Sequence, residues 1–325
     1  MGIALLAIVS GLVLLVISAD KFIEGSAMSA LYFHVSPLLI GMVIVGFGSS
    51  APELVVSVMA ASRGNPGIAI GNAFGSNIVN IALILGITAL IKPIMVSSSI
   101  LKKELPLLVG VIILTYVCIR DLTISRLDGI ILILGFMALM VWTVHQSKRE
   151  TKDTYREDLE KEQSNKNISL TRALFYLFFG IIFLIISSRL LVWGSVEITT
   201  LLGVSEVITG LTVVAIGTSL PELASCIAAV KKGEDDIALG NIIGSYLFNT
   251  LLVVGLASSI SPFKLDQIII IRDFLFMAVL TLSLFIIGYR WKKGVGRINR
   301  YEGLILLLSY IVYVTFLIIS AFPTV

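Results

Sequence analysis

Long apolar stretches alternate with short polar connections from one end of the chain to the other. About 20 helical residues cross the hydrocarbon core of a bilayer, and most of these stretches reach that length. The pattern predicts ten helices in two groups of five, of which the fourth and ninth are the shortest. The predicted spans are residues 2–24, 38–62, 68–91, 105–119 and 127–144, then 173–196, 207–230, 237–260, 274–289 and 303–322.

The composition points to lipid as the main solvent. Hydrophobic residues make up 57% of the 325 residues and charged residues only 14%, and the mean hydropathy is +1.01. A soluble domain has about 25% charged residues. The net charge of +3 is small and scattered, so we expect a lipid bilayer around the protein and no nucleic-acid partner.

One clearly polar segment, residues 146–169, separates the two groups of apolar stretches. Its mixed charges and the lack of an apolar face predict a solvated loop or a short surface helix. The chain is therefore divided into a first five-helix unit at residues 1–145, this polar loop, and a second five-helix unit at residues 170–325.

The two units are related in sequence at a constant offset of 169 residues. Between Gly41–Gly86 and Gly210–Gly255, 18 of 46 positions are identical without a gap. Because five is an odd number of spans, the second unit must enter the membrane with the opposite orientation. The sequence thus predicts an all-α membrane protein with ten transmembrane helices, arranged as two inverted five-helix repeats.

The basic residues predict the orientation, since cytoplasmic loops are enriched in Lys and Arg. With the N-terminus outside, the cytoplasmic loops hold 17 Lys and Arg residues and the external loops hold six, with Lys21 uncounted at a helix border. We therefore expect a multi-pass protein of the plasma (inner) membrane. Both termini would be extracytoplasmic and the central loop cytoplasmic.

A glutamate lies inside the second span of each unit. The segment GFGSSAPE covers Gly46–Glu53, and AIGTSLPE covers Ala215–Glu222. A carboxylate at bilayer depth costs several kcal/mol unless it has a partner, so it usually serves a function. Pro52 lacks an N–H and crowds the carbonyl four residues earlier, which predicts a broken helix with freed backbone oxygens.

Hydroxyl groups precede each glutamate at helical spacing. Ser49 and Ser50 lie four and three residues before Glu53, and Thr218 and Ser219 take the same places in the second unit. On a continuous helix, this spacing puts hydroxyls and carboxylate on one face.

The following span repeats a second motif. The segment GNAFGSNIVN covers Gly71–Asn80, and GNIIGSYLFN covers Gly240–Asn249. Their GxxxG spacing allows a neighbouring backbone to approach closely. Each copy also presents a hydroxyl and an amide at i, i+4: Ser76 with Asn80, and Ser245 with Asn249. With the glutamates, these side chains offer only oxygen ligands, which favour hard cations such as Ca²⁺ and Na⁺.

Each feature alone has a simpler explanation. A GxxxG pair often serves only packing, a proline often only kinks a helix, and a buried glutamate could pair with Arg189. Asp20, Lys21 and Glu24 could pair locally or lie at the interface. Cys118 and Cys226 are interpreted as buried small apolar residues. The duplication of both motifs in register argues for a functional site.

The paired motifs resemble the two α-repeats of sodium/calcium exchangers, in the calcium/cation antiporter superfamily, and the compact prokaryotic members above all. The resemblance covers nearly the whole chain. It implies four central ion sites built from the second, third, seventh and eighth helices, with Ca²⁺ and Na⁺ as transported ions and no cofactor. The implied ligands are the side chains of Ser49, Ser50, Glu53, Ser76, Asn80, Thr218, Ser219, Glu222, Ser245 and Asn249, and the carbonyls of Gly46 and Ala215.

Two departures from related families bear on the coupling ion. Potassium-dependent relatives typically have an aspartate at the position of Asn249, and proton/calcium exchangers have a glutamate where this chain has Ser76 and Ser245. Both differences favour exchange of Na⁺ for Ca²⁺ by alternating access, with a cation exchanger driven by H⁺ or K⁺ as the alternative. An intramembrane hydrolase with a carboxylate dyad is a further alternative, but it needs two unlike carboxylates. The oligomeric state stays open.

Overall fold

The structure is a computed structural model, and it describes residues 1–33, 35–62, 64, 66–97, 100–154, 169–201, 215–288 and 296–321. Residues 207–214 of the predicted seventh span and most of the central polar segment lie outside the described residues. The helices are α1 (Gly2–Phe33), α2 (Pro37–Ser49), α3 (Ala51–Ser62), α4 (Pro66–Ile91), α5 (Leu105–Ile119), α6 (Arg126–Thr154), α7 (Leu170–Leu201), α8 (Ala215–Thr218), α9 (Leu220–Lys232), α10 (Asp235–Ile260), α11 (Ile269–Ile287) and α12 (Arg300–Ala321).

Within the described residues, seven helices are long and apolar enough to cross a membrane, or eight if the bent pair α2 and α3 forms one span. The prediction of an all-helical membrane protein is confirmed at this level. A π-helical turn at Ile100–Glu104 directly precedes α5, so this helical segment runs over residues 100–119 and has Lys102, Lys103 and Glu104 near its start. The other helix ends agree with the predicted spans to within a few residues, except that α1, α6 and α7 extend further into the polar connections.

Two helices occupy the centre of the molecule. In an apolar stretch of 18 residues, 78% of the residues are buried in α4 and 94% in α10, against 17% in α12. These are the helices that contain the repeated Gly-Asn motif. The peripheral helices expose large aliphatic side chains, such as Ile3, Leu6 and Val16 on α1, as expected for a lipid-facing surface.

The helices α1 and α7 pack along one another through small residues. A Cβ atom added at Gly25 would lie 2.7 Å from the backbone nitrogen of Leu177, and one at Gly194 would lie 2.7 Å from the carbonyl oxygen of Ala4. Gly25 and Gly194 are related by the 169-residue offset. Glycine at these positions therefore lets the two backbones come into direct contact.

The GxxxG pair of α10 packs against the backbone of α2. A Cβ atom at Gly240 would lie 2.5 Å from the carbonyl oxygen of Leu38, and one at Gly244 would overlap the carbonyl of Met42. The close approach predicted for this copy is confirmed. For Gly71 and Gly75, the corresponding pair on α4, no described residue comes within 4 Å of an added Cβ.

Two short antiparallel strand pairs tie the connections together. Strand β1 (Ile94–Val96) pairs with β4 (Gly296–Ile298), and β2 (Thr123–Ile124) pairs with β3 (Phe263–Lys264). The sequence did not predict these strands, because two or three residues are too few to give a period-two pattern. Since β1 precedes α5 and β2 follows it, each pair joins one connection of the first unit to one of the second.

The strand pairing predicts a cross-link. Met95 and Arg297 are directly opposed Cα partners, and such partners lie about 4.5–5.5 Å apart, a spacing compatible with a disulfide. Cysteines at these two positions, in a background lacking Cys118 and Cys226, should therefore join on mild oxidation. A protease site introduced at residues 155–168 divides the chain, so a non-reducing gel reports whether the two halves remain linked.

The matched control places the cysteines at Met95 and Lys264, which belong to different sheets. This control pair should leave the halves separate. If the Met95 and Arg297 pair links no more than the control, the proximity of the two connections is contradicted.

Candidate ion-binding site

The two glutamates lie where broken helices restart. Helices α2 and α3 are bent by 48° across Ser50, and α8 and α9 are interrupted in the same way at Ser219. The two serines have nearly the same backbone angles, φ −84° and ψ 7° against φ −92° and ψ 9°. The predicted break is confirmed, and the proline that follows each serine lies in the first turn of a new helix, where its missing N–H costs no helical hydrogen bond.

The break puts each carboxylate at a helix N-terminus. Glu53 and Glu222 lie in the first turns of α3 and α9, where the helix dipole favours negative charge. They are 0% and 1% exposed. The helix ends stabilise the charges only in part, so buried carboxylates at this depth still require further partners.

Serine hydroxyls of each half donate hydrogen bonds to the glutamate of the other half. Ser50 donates to Oε1 of Glu222 at 2.9 Å, and Ser219 donates to Oε1 of Glu53 at 3.4 Å. The spacing in the sequence would place each hydroxyl on the same helix face as the glutamate of its own segment if the helix were continuous. The helix is interrupted at Ser50 and Ser219, and these two hydroxyls bond the glutamate of the opposite half. The site therefore lies between the two halves.

Among the implied ligands, four buried oxygen atoms are left without a hydrogen-bond partner in the described part of the chain. They are Oε2 of Glu53, Oε2 of Glu222, Oδ1 of Asn80 and Oδ1 of Asn249. An unpaired buried polar group costs about 1–3 kcal/mol, and more when it is charged. Both members of each repeat-related pair are present, and carboxylate and amide oxygens are ligands that hard cations prefer.

Further hydroxyls connect the broken helices to α10. Ser49 donates to Oδ1 of Asn241 at 3.0 Å, and the hydroxyl oxygens of Ser50 and Ser245 lie 2.8 Å apart, within hydrogen-bond distance. Ser245 in turn lies 3.4 Å from the carbonyl oxygen of Gly46, which also accepts the backbone N–H of Ser50. These bonds bring five implied ligands of both halves into one network: Gly46, Ser49, Ser50, Glu222 and Ser245.

The remaining implied ligands lie on helices α4, α8 and α10. Ser76, Asn80 and Asn249 are buried on α4 and α10, with exposed fractions of 5%, 1% and 0%. Thr218 is half-buried at the end of α8 and interacts with Glu53. Ala215 begins α8, and its side chain lies outside the description.

The sequence did not single out Asn72 and Asn241 as site residues. Asn72 donates to the backbone carbonyl of Glu53 at 3.2 Å and to Ser57 at 3.0 Å. Asn241 donates to the carbonyl of Glu222 at 3.4 Å and lies 3.3 Å from Sγ of Cys226. Each asparagine thus fixes the helix that bears the glutamate. The repeated Gly-Asn dipeptide was the signal that could have identified them.

The side chains with the unpaired amide oxygens, Asn80 and Asn249, belong to two π-helical segments. They cover Val79–Ile84 in α4 and Phe248–Val253 in α10, and they correspond residue for residue at the 169-residue offset. Asn80 and Asn249 are the second residues of these segments. A π turn widens the helix locally and is frequent at functional sites.

Charged residues of α1 form ion pairs away from this network. Lys21 pairs with Glu24 at 2.8 Å, as the local-pairing interpretation expects, whereas Asp20 pairs with Lys232 on α9 at 2.8 Å. Cys118 and Cys226 are buried and free, as expected. Among the described residues, no group of three His, Cys, Asp or Glu side chains could hold a metal ion, so oxygen atoms of hydroxyls and amides must complete any cation site.

Comparison with known proteins identifies the family. The model of the sodium/calcium exchanger protein family matches residues 3–144 and 172–319. A putative antiporter, CaxA of Alkalimonas amylolytica, is 43% identical over 96% of this chain and 98% of its own length. The sodium/calcium exchanger MaX1 of Methanosarcina acetivorans is 28% identical over 96% and 97%. A solved structure of the sodium-calcium exchanger NCX_Mj superposes with a TM-score of 0.83 at 31% identity, covering 96% of this chain and 98% of that one. This chain belongs to the sodium/calcium exchanger protein family.

Proposed function

We propose that this protein is a secondary antiporter that exchanges Na⁺ for Ca²⁺ across the membrane by alternating access. The observation that carries the proposal is the pair of buried carboxylates, Glu53 and Glu222, each bonded by a serine of the opposite half and each left with an unpaired oxygen. Its transported ions are its only proposed ligands: it uses no resident cofactor and catalyses no covalent chemistry.

The proposed ions fit the charge of this site. Two ionised carboxylates give it a formal charge of −2, which one Ca²⁺ neutralises. Several Na⁺ ions can occupy the same oxygens, but not together with Ca²⁺. This mutual exclusion produces exchange rather than leak. The proposed ligands are the twelve residues that the α-repeats imply, which include both glutamates.

The relatives support these ions. MaX1 is named a sodium/calcium exchanger, and crystals of NCX_Mj were soaked with Na⁺, Ca²⁺ and Sr²⁺. For this chain, Asn249 and the serines Ser76 and Ser245 favour Na⁺ over K⁺ or H⁺ as the coupling ion. A hydrolase is disfavoured because Glu53 and Glu222 have matching surroundings, whereas an acid/base pair needs unlike ones.

We further propose ten spans in two inverted repeats, at residues 1–145 and 170–325, with residues 146–169 as a cytoplasmic loop and both termini outside the plasma membrane. The strand pairs support this topology. Six of the proposed spans lie between β1 and β4, and four lie between β2 and β3. Both numbers are even, so each pair joins two connections on one side of the membrane, as a strand pair requires.

The proposed moving elements are α1 and α7. They pack on each other through Gly25 and Gly194 and expose wide apolar surfaces. The central helices α4 and α10 are buried and belong to the site. A sliding pair at the periphery can expose the site to each side in turn without taking the carboxylates apart.

The first prediction concerns the two carboxylates. Glu53→Gln and Glu222→Gln should each abolish Na⁺-driven ⁴⁵Ca²⁺ uptake into proteoliposomes, because each change removes half of the charge that balances Ca²⁺. Glu24→Gln is the matched control. Glu24 is a partly exposed carboxylate paired with Lys21 outside the site, so this variant should retain uptake. Near-normal ⁴⁵Ca²⁺ uptake in either site variant would contradict the proposal.

The second prediction is that exchange moves net charge. The family resemblance implies three Na⁺ for each Ca²⁺, which leaves one positive charge uncompensated. A potential of 100 mV acting on one charge is worth about 2.3 kcal/mol, or roughly fifty-fold in the equilibrium gradient. An inside-positive potential should therefore raise Ca²⁺ accumulation in Na⁺-loaded vesicles.

Valinomycin with opposite K⁺ gradients sets the potential in this experiment, and a K⁺ gradient without valinomycin is the control for direct K⁺ coupling. Equal Ca²⁺ accumulation at both potentials would mean electroneutral exchange and would reject the three-sodium assignment.

A further inference from the structure

Asn77 lies outside the proposed ligand set, yet it is fully buried beside it. It follows Ser76 on α4 and is 0% exposed. Its amide nitrogen donates to Oγ1 of Thr250 at 2.7 Å and lies 3.4 Å from Sδ of Met277, on α10 and α11. Both amide hydrogens of Asn77 therefore have acceptors.

The sulfur atom fixes the orientation of the Asn77 amide. A thioether sulfur accepts hydrogen bonds and donates none, so the nitrogen of Asn77 must face Met277 and its oxygen must face the other way. That oxygen accepts a hydrogen bond from the amide N–H of Asn249, with the two atoms 3.3 Å apart. The orientation of Asn249 follows in turn: its nitrogen is committed to Asn77, and its Oδ1 is the buried atom without a partner.

We propose that Asn77 is a positioning residue that makes Asn249 present an oxygen, rather than an N–H group, to the transported cation. This inference rests on the proposed function. An amide that turned around would direct its N–H donors at a positive ion. Asn77 prevents this by holding the nitrogen of Asn249 on the opposite side.

The first half of the chain lacks this device. Asn80 corresponds to Asn249 at the 169-residue offset, and Tyr246 corresponds to Asn77. Neither amide atom of Asn80 has a hydrogen-bond partner within the described ranges. The orientation of the ligand amide is therefore fixed by a neighbouring amide in the second half alone, which makes the two halves of the site unequal.

The test measures equilibrium binding of ⁴⁵Ca²⁺ to the full-length protein in detergent. Asn77→Ala should raise the Kd for Ca²⁺ roughly tenfold, the effect of losing one well-oriented polar contact. Tyr246→Phe is the matched control. It changes an equally buried polar side chain at the corresponding position of the other half and should leave the Kd unchanged.

A second background separates positioning from packing. In Asn249→Asp the side chain has oxygen at both positions, so its orientation no longer matters. The effect of Asn77→Ala on the Kd should then fall from roughly tenfold to less than about threefold. Met277→Leu nearly conserves volume and removes the sulfur acceptor. It should raise the Kd in the same direction by a smaller factor, and it tests the inference even if Asn77→Ala does not fold.

The outcomes separate the two claims. Wild-type protein that binds no Ca²⁺ would reject the proposed function itself. Normal wild-type binding with the same cost of Asn77→Ala in both backgrounds would overturn only the positioning role, since a packing defect does not depend on residue 249. Loss of Ca²⁺ binding in Asn249→Asp, or a normal Kd in both Asn77→Ala and Met277→Leu, would also overturn it.

Discussion

The requirement to balance two buried negative charges governs the structure around Glu53 and Glu222. An ionised carboxylate in an apolar interior costs several kcal/mol unless it is paired and hydrogen-bonded. Here each carboxylate has a helix N-terminus and one serine hydroxyl, and its second oxygen has no partner in the described part of the chain. A bound cation would supply the missing partner of both unpaired carboxylate oxygens and would balance their negative charge.

The packing of the helices serves this arrangement. The hydroxyls of the broken helix α2–α3 reach Glu222 and Ser245 because α2 lies directly on the backbone of α10. Glycine at positions 240 and 244 permits this close approach of the two backbones. The polar network thereby lies inside the most buried pair of helices. The lipid-facing helices surround it and pack closely through small residues, at Gly25 and Gly194 between α1 and α7, at Gly129 on α6 and at Gly303 on α12.

Much of this could be predicted from the sequence, for physical reasons that differ between features. The apolar stretches follow from the bilayer thickness, so most helices were found with small errors at their ends, whereas α1, α6 and α7 continue beyond their apolar stretches. Pro52 and its repeat-related counterpart predicted the break. The crossing of Ser50 to Glu222 could not be predicted, because it depends on which halves face each other. The π segments and the strands have no local signal, and Asn77 acts through partners far away in sequence.

The central claim is that Ca²⁺ and Na⁺ compete for the same buried oxygens. Equilibrium binding of ⁴⁵Ca²⁺ to the detergent-solubilised wild-type protein, titrated with Na⁺ and with choline as the control for ionic strength, tests it most directly. The account predicts that Na⁺ displaces all bound Ca²⁺ with a steep, sigmoidal dependence, because several Na⁺ replace one Ca²⁺, and that choline displaces none. Ca²⁺ that stays bound at saturating Na⁺ would contradict a shared site.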